Sequence, residues 1–308
     1  MTSGGADPQP RVEMSGGRRV GLDRCSPRWP TAASPVVAVI GDPVAHSLSP
    51  RLHQAAFDAW GLDWVSVGFL VPSGQAAAAV AGVRALGLRG VSVTMPHKAA
   101  AAAAVDVLTP VARRLRAVNC IIRRHDQLVG DSTDGEGFVQ ALASQAGFDP
   151  AGRVCAVVGA GGAARAVVLA LAEAGARRVL VVNRTRRRAE QAAALAGPAG
   201  EAAGPAAVAD AELVVNATPL GMASTGRQPA GSQPADQLPV AADRLGSGQV
   251  VADLVYQPAI TPLLAAAGQA GAITVGGLGM LVHQAALALT SWTGQPAPLD
   301  AMWAAATS

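Results

Sequence analysis

Two short stretches of the chain carry residue types that could do chemistry. In Gly90-Val-Ser-Val-Thr-Met-Pro-His-Lys98 an apolar strand runs into Met-Pro, and a lysine follows two residues later. An unpaired ammonium is costly to bury, so Lys98 calls for a carboxylate partner, a ligand or water. In Val158-Gly-Ala-Gly-Gly-Ala-Ala-Arg165, the residues Gly159, Gly161 and Ala164 fit the spacing G-x-G-x-x-G/A. The pattern follows an apolar run and opens a helix-forming one. In that context the glycines permit a tight turn and close backbone approach to a pyrophosphate on the helix N-terminus.

The next apolar run ends Val182-Asn183-Arg184-Thr185, with Arg188 one turn further on. An NAD site would place Asp or Glu there for the ribose hydroxyls. Arginines and a hydroxyl suit a 2′-phosphate instead, because guanidinium pairs with phosphate bidentately. The cofactor expected is therefore NADP. Arg186 and Arg187 also fit a plain solvated helix start.

More polar residues fall where apolar runs end. Ser47 and Ser49 follow the first run, Thr94 and Lys98 the third, and Asn119 and the segment Asp131-Ser-Thr-Asp134 come later. Ligands of open α/β sheets sit beyond the carboxyl ends of strands. Small hydroxyls, an amide, a lysine and a carboxylate there suit an oxygen-rich substrate. Taken singly, Ser49 and Asp134 also fit helix caps, and Lys98 a solvated first-turn residue.

The elements that must position these residues alternate. Strands are expected at 36–40, 64–71 and 90–94, with helices from Ser49-Pro50 (Ser as N-cap), over 74–86 and after Pro96. A strand pair is expected over 117–124 and 127–130 around His125-Asp126, then a helix over 135–145. A second series follows: strands at 154–158, 178–182, 213–216 and 250–254, with helices over 163–174 and 185–195. Residues 221–248 read as a surface loop, and 278–293 and 298–306 as the last helices. This order predicts an α/β fold in two domains. One is a mainly parallel α/β substrate domain, 36–133 plus 276–308. The other is a Rossmann-type NADP-binding domain, 134–275.

Half of the 308 residues are apolar, enough for a substantial core. Net charge is +3 and aromatics make up 3%, with one dense basic run at 184–188, which argues against a nucleic-acid partner. Cys25, Cys120 and Cys155 are far apart, with no C-x-x-C or Cys/His pair, so no metal site or disulfide framework is expected and a reducing cytoplasm fits. The first 35 residues are rich in Gly, Pro, Arg and Ser and read as a disordered extension, not a secretory signal. No Asp, Glu, Lys or Arg occurs from Leu254 to Leu299, but prolines, glycines and glutamines break that stretch, so no membrane span is expected.

Together the pieces resemble the shikimate dehydrogenase family. They are GDPVAHSLSP (41–50), VSVTMPHK (91–98), AVNC (117–120), GDSTDG (130–135), VVGAGGAAR (157–165), NRTRRR (183–188), NATPLGM (216–222), DLVYQPAITPLL (253–264) and GGLGMLVHQAA (276–286). They stand in the family's order over nearly the whole chain. The resemblance implies reversible NADPH-linked reduction of 3-dehydroshikimate to shikimate, in aromatic amino-acid biosynthesis, by a cytoplasmic monomer or homodimer. It implies that Ser47 and Ser49 hold the substrate carboxylate and that Thr94, Asn119, Gln284 and Tyr256 are further substrate contacts. Lys98 and Asp134 stand as the catalytic pair. Gly159, Gly161, Gly162, Ala163, Asn183, Arg184, Thr185, Arg188, Thr218, Gly277 and Met280 stand as cofactor neighbours. The five histidines take no role. The chain departs from the family's common residues at Ser92, His97 and Cys120. Two other readings stay open: a quinate/shikimate dehydrogenase using NAD, disfavoured by Ser49 and by Asn183-Arg184-Thr185, and a non-catalytic Rossmann-type metabolite sensor.

Overall fold

The computed structural model describes residues 30–222 and 238–308. Most of the expected extension (1–29), Cys25 and the middle of the expected loop (223–237) lie outside the described residues. The first series of elements is β1 (Val36–Gly41), α1 (Ser49–Trp60), β2 (Val65–Leu70), α2 (Ala76–Ala85), β3 (Gly90–Val93) and α3 (Lys98–Ala104). It continues with β4 (Val107–Leu108), α4 (Pro110–Leu115), β5 (Cys120–Arg124), β6 (Gln127–Asp131) and α5 (Asp134–Ala146). The second series is β7 (Val154–Val158), α6 (Gly162–Glu173), β8 (Arg178–Val182), α7 (Arg186–Ala193), β9 (Gly200–Ala203) and β10 (Leu213–Asn216). Then come β11 (Val250–Asp253), α8 (Pro262–Gln269), β12 (Ile273–Val275), α9 (Gly277–Thr293) and α10 (Leu299–Thr307).

Two six-stranded sheets result, ordered β2-β1-β3-β5-β6-β4 and β12-β11-β10-β7-β8-β9. The second is parallel throughout, and its order turns outward on both sides of β7 and β10, which leaves a crevice at their carboxyl ends. The first is parallel except for β5, which runs antiparallel to both β3 and β6. Its interior strand β1 (VVAVIG), between β2 and β3, is buried from Val37 onward, as a strand covered by helices on both faces must be. The second sheet is sealed on one face by α5, α6 and α7 through Phe138, Leu142, Val167, Leu171 and Ala189.

Several elements escaped sequence reading. β4 has two residues and β9, β12 and α4 are short, so none offers a full hydrophobic period. α8 lies in a stretch without charged residues, where no polar face marks a helical period. The Ser49 N-cap expectation fails: Leu48 occupies the cap position, Ser49 is already helical and buried, and no side chain caps α1. Residues 242–244 of the expected 221–248 loop form a short 3-10 turn.

Candidate active site

The antiparallel strand gathers the site. β1 and β3 end at the same edge, and β6, parallel to them, ends there too. β5 runs the other way, so it begins where they finish; Val93 N donates to Asn119 O at 2.7 Å. One edge therefore carries Ser47 and Ser49 after β1, Thr94 and Lys98 after β3, Asn119 before β5, and Asp134 after β6. A Cβ on Gly41 would collide with the Thr94 methyl, so glycine there lets the two chain segments come together.

At this edge Lys98 Nζ donates to Asp134 Oδ2 at 2.6 Å. The lysine side chain is 21% exposed and the aspartate 8%, so the ammonium reaches the cleft while its counter-ion lies behind it. The other carboxylate oxygen, Oδ1, accepts from Asn119 Nδ2 at 2.9 Å. The same amide lies 3.0 Å from Thr133 Oγ1 and 3.2 Å from Gln284 Oε1. Thr133 N returns a bond to Asn119 Oδ1 at 2.8 Å, and its hydroxyl donates to Gln284 O at 3.0 Å. Four residues singled out from sequence, Lys98, Asn119, Asp134 and Gln284, thus form one connected network. Thr133 belongs to it and was missed, although it stands inside GDSTDG.

Ser47 and Ser49 lie at the entry to α1, with Ser49 N 3.3 Å from Ser47 Oγ; neither is bonded to the network. Tyr256 and Thr218 lie beyond β11 and β10 of the second sheet. Tyr256 is half-buried, which pushes its phenol above the usual value. Thr218 is fixed by Asn216 Oδ1, which accepts from its N (3.0 Å) and its Oγ1 (2.7 Å). Asn216 Nδ2 in turn donates to the buried Asp253 at 2.8 Å, and Thr261 Oγ1 donates to the same carboxylate at 2.6 Å. Burial raises the Asp253 pKa. Asn216, Asp253 and Thr261 tie together the two loops that carry Thr218 and Tyr256. Sequence reading assigned them no role; they stand inside NATPLGM and DLVYQPAITPLL.

A cleft of about 450 Å³ joins Lys98 to the glycine loop. Met95, Pro96, Lys98 and Arg116 line one side; Ala160, Gly161, Gly162, Arg165 and Arg188 line the other. Its lining holds four cationic side chains and no carboxylate. Gly159 has φ 116°, a conformation that suits glycine, and a Cβ there would come 2.8 Å from Ala217 O. A Cβ on Gly161 or Gly162 would meet nothing within 4 Å, and Gly161 caps α6 without a side chain. The first turn of α6, with Ala163 half-buried in it, so presents free N–H groups to open, positively lined space, which fits a dinucleotide's phosphates. Beyond β8, Asn183 Nδ2 donates to Thr185 O at 3.0 Å, and Arg184, Thr185 and Arg188 are exposed. Arg186 pairs with Glu190 on its own helix at 3.0 Å. Gly277 opens α9, where a Cβ would clash with Leu254 O, and Met280 packs on the core of the second sheet.

The histidines lie apart from this network. His97 Nε2 is 2.7 Å from Val71 O, and His283 is buried with Nε2 3.2 Å from Ser144 Oγ. His53 is fully buried, with Nδ1 2.9 Å from Ser66 Oγ. Of the residues at which the chain departs from the resemblance, Ser92 has a buried hydroxyl with no hydrogen-bond partner among the described residues, and Cys120 is a buried free thiol. Among the described residues there is no group of three or more ligating side chains that could hold a metal, and no helix long and apolar enough to cross a membrane.

Three family models match the chain: the shikimate dehydrogenase substrate binding domain over residues 39–121, shikimate/quinate 5-dehydrogenase over 141–229, and the shikimate 5′-dehydrogenase C-terminal domain over 277–307. A shikimate dehydrogenase (NADP(+)) of Moorella thermoacetica is 46% identical over 281 residues, covering 88% of this chain and 92% of the relative. The crystal structure of shikimate 5-dehydrogenase from Thermus thermophilus, in complex with NADP(H) and shikimate, is similar with a TM-score of 0.80 and 36% identity, covering 89% and 98% of the two chains. Quinate dehydrogenase from Corynebacterium glutamicum, in complex with NAD, is also similar, with a TM-score of 0.78 and 28% identity over 88% and 98%.

Proposed function

The chain belongs to the shikimate dehydrogenase family, and on that premise we propose how its residues perform the family's reaction. It catalyses the reversible NADPH-dependent reduction of 3-dehydroshikimate to shikimate, a step of aromatic amino-acid biosynthesis. NADPH, when bound, supplies the hydride. Lys98 and Asp134 act as the proton-transfer pair, and the Lys98–Asp134 contact at the cleft carries this reading. As the ketone is reduced, charge builds on its oxygen; the Lys98 ammonium stabilises that charge and donates the proton. Asp134 holds the ammonium in place and offsets its partial desolvation. In the reverse direction neutral Lys98 takes the hydroxyl proton.

Asn119, Thr94 and Gln284 orient the substrate's hydroxyls, Ser47 and Ser49 take its carboxylate, and Tyr256 closes the edge of the site. On the cofactor, Gly159, Gly161, Gly162 and Ala163 bind the pyrophosphate, and Asn183, Arg184, Thr185 and Arg188 the 2′-phosphate side. Thr218, Gly277 and Met280 flank the nicotinamide. Residues 36–133 with 276–308 form the substrate domain and 134–275 the cofactor domain. The enzyme acts as a monomer or a homodimer. The free buried thiols of Cys120 and Cys155 suit a cytoplasmic enzyme.

Initial rates with shikimate and quinate crossed against NADP⁺ and NAD⁺ test this. Activity concentrated on shikimate with NADP⁺ is expected. Comparable rates with quinate and NAD⁺ would refute the assignment of Arg184 and Arg188 to a 2′-phosphate.

A further inference from the structure

Arg116 stands in the cofactor cleft without a task. It follows α4 and lies opposite the glycine loop, on the same side as Lys98. Its backbone is left-handed, at φ 49° and ψ 41°, a conformation glycine would hold without strain. Its neighbours on α4 are engaged elsewhere. Arg113 Nη2 donates to Leu108 O at 3.4 Å, and Arg114 pairs with Glu173 at 2.5 Å. Arg116 is exposed to the cleft and makes no ion pair among the described residues.

Its position against α6 is fixed twice over. Arg165, in the first turn of that helix, donates from Nη2 to Leu115 O at 2.9 Å, so the residue before Arg116 is tied to the helix that opens at Gly162. Leu115 also packs with Ala166 and Leu169 of α6. A cation fastened beside open helix N–H groups, in a cleft whose lining holds no carboxylate, faces whatever anion those groups bind.

We propose that Arg116 is a cofactor-phosphate ligand, binding from the substrate-domain wall the same pyrophosphate that the N-terminus of α6 binds from the other side. Arg188 and Arg184 serve the 2′-phosphate, so Arg116 contributes equally to NADPH and NADH. The inference rests on the NADP reading of the cleft and adds to it a contact that links the two walls through the cofactor.

The test is nucleotide binding to the full chain without substrate. NADPH and NADH fluorescence titrations at low ionic strength give dissociation constants for the wild type, Arg116→Gly and Arg116→Asn. Both substitutions tolerate left-handed backbone, so the fold is expected to survive, and an unchanged melting temperature verifies it. The expected result is about tenfold weaker binding of both nucleotides by the same factor, the loss of one charge-assisted hydrogen bond. Unchanged constants in folded variants overturn the proposal and leave the NADP reading intact. A loss confined to NADPH also overturns it, by moving Arg116 to the 2′-phosphate. A wild type that binds neither nucleotide would sink both.

Discussion

The carboxylate of Asp134 is divided between two partners, with Oδ2 on the Lys98 ammonium and Oδ1 on the Asn119 amide. Lys98 reaches the cleft, so its position depends on a carboxylate that Asn119 holds from behind. Replacing Asn119 by alanine would leave Thr133 N–H and Asp134 Oδ1 buried without these bonds. The expected cost is about 1–3 kcal/mol of stability, read from urea midpoints, with a fall in kcat larger than any rise in shikimate KM. At this scale much of the site was legible. Lys98, Asp134, Asn119 and Gln284 were named from motifs, because each is a polar side chain at the end of an apolar run or inside a family motif. Thr133 was not, because it acts through its backbone N–H and a hydroxyl beside a more conspicuous aspartate. Asn216 and Asp253 were not, because they hold loops rather than ligands.

Two packing arrangements decide whether the elements deliver those side chains. α5 carries Asp134 and α9 carries Gln284, and the helices meet at Gly137, where a Cβ would come 2.6 Å from Gln284 N. Gly137→Ala must push α9 aside. A loss of about 1–3 kcal/mol in stability, together with weaker shikimate binding, is the expected outcome in thermal melts and substrate titrations. The second arrangement joins α1, β2 and α9 at His53, whose ring lies edge-on to Trp292. Burial lowers the His53 pKa from 6.5 to about 3. The native state keeps this ring neutral while the unfolded chain protonates it below 6.5. His53 therefore leaves stability undiminished above pH 6.5, and stability falls as pH drops from 6.5 towards 3. The loss should reach about 3 kcal/mol at pH 4, and His53→Asn should flatten the pH dependence of the melting temperature in that window. Long, strongly apolar elements such as β1, β7 and α9 were readable in the sequence. The two-residue β4 was not, since two residues show no period. The reversal of β5 against β6 was readable from the two-residue connection at His125-Asp126, but not that β5 would also pair antiparallel with β3. That reversal is what brings Asn119 to the ends of β3 and β6.

Across the whole molecule, two sheets turn their carboxyl ends to a common cleft, with Lys98, the proposed proton donor, on one wall and Gly161 and Gly162, the proposed phosphate site, on the other. The sequence made both walls visible, but not which residues face each other across the cleft, because only the folded chain sets Met95 and Lys98 beside Arg165 and Arg188. The central claim is that Lys98 moves the proton. Its most direct test is kcat for shikimate oxidation by NADP⁺ with Lys98→Met, alongside the dissociation constant of shikimate for the same protein. Turnover roughly 10²–10⁴-fold lower, with shikimate still bound within a few fold of wild type, is the result this account predicts. Turnover near the wild-type rate would contradict it, and the proton would then have to pass through another group.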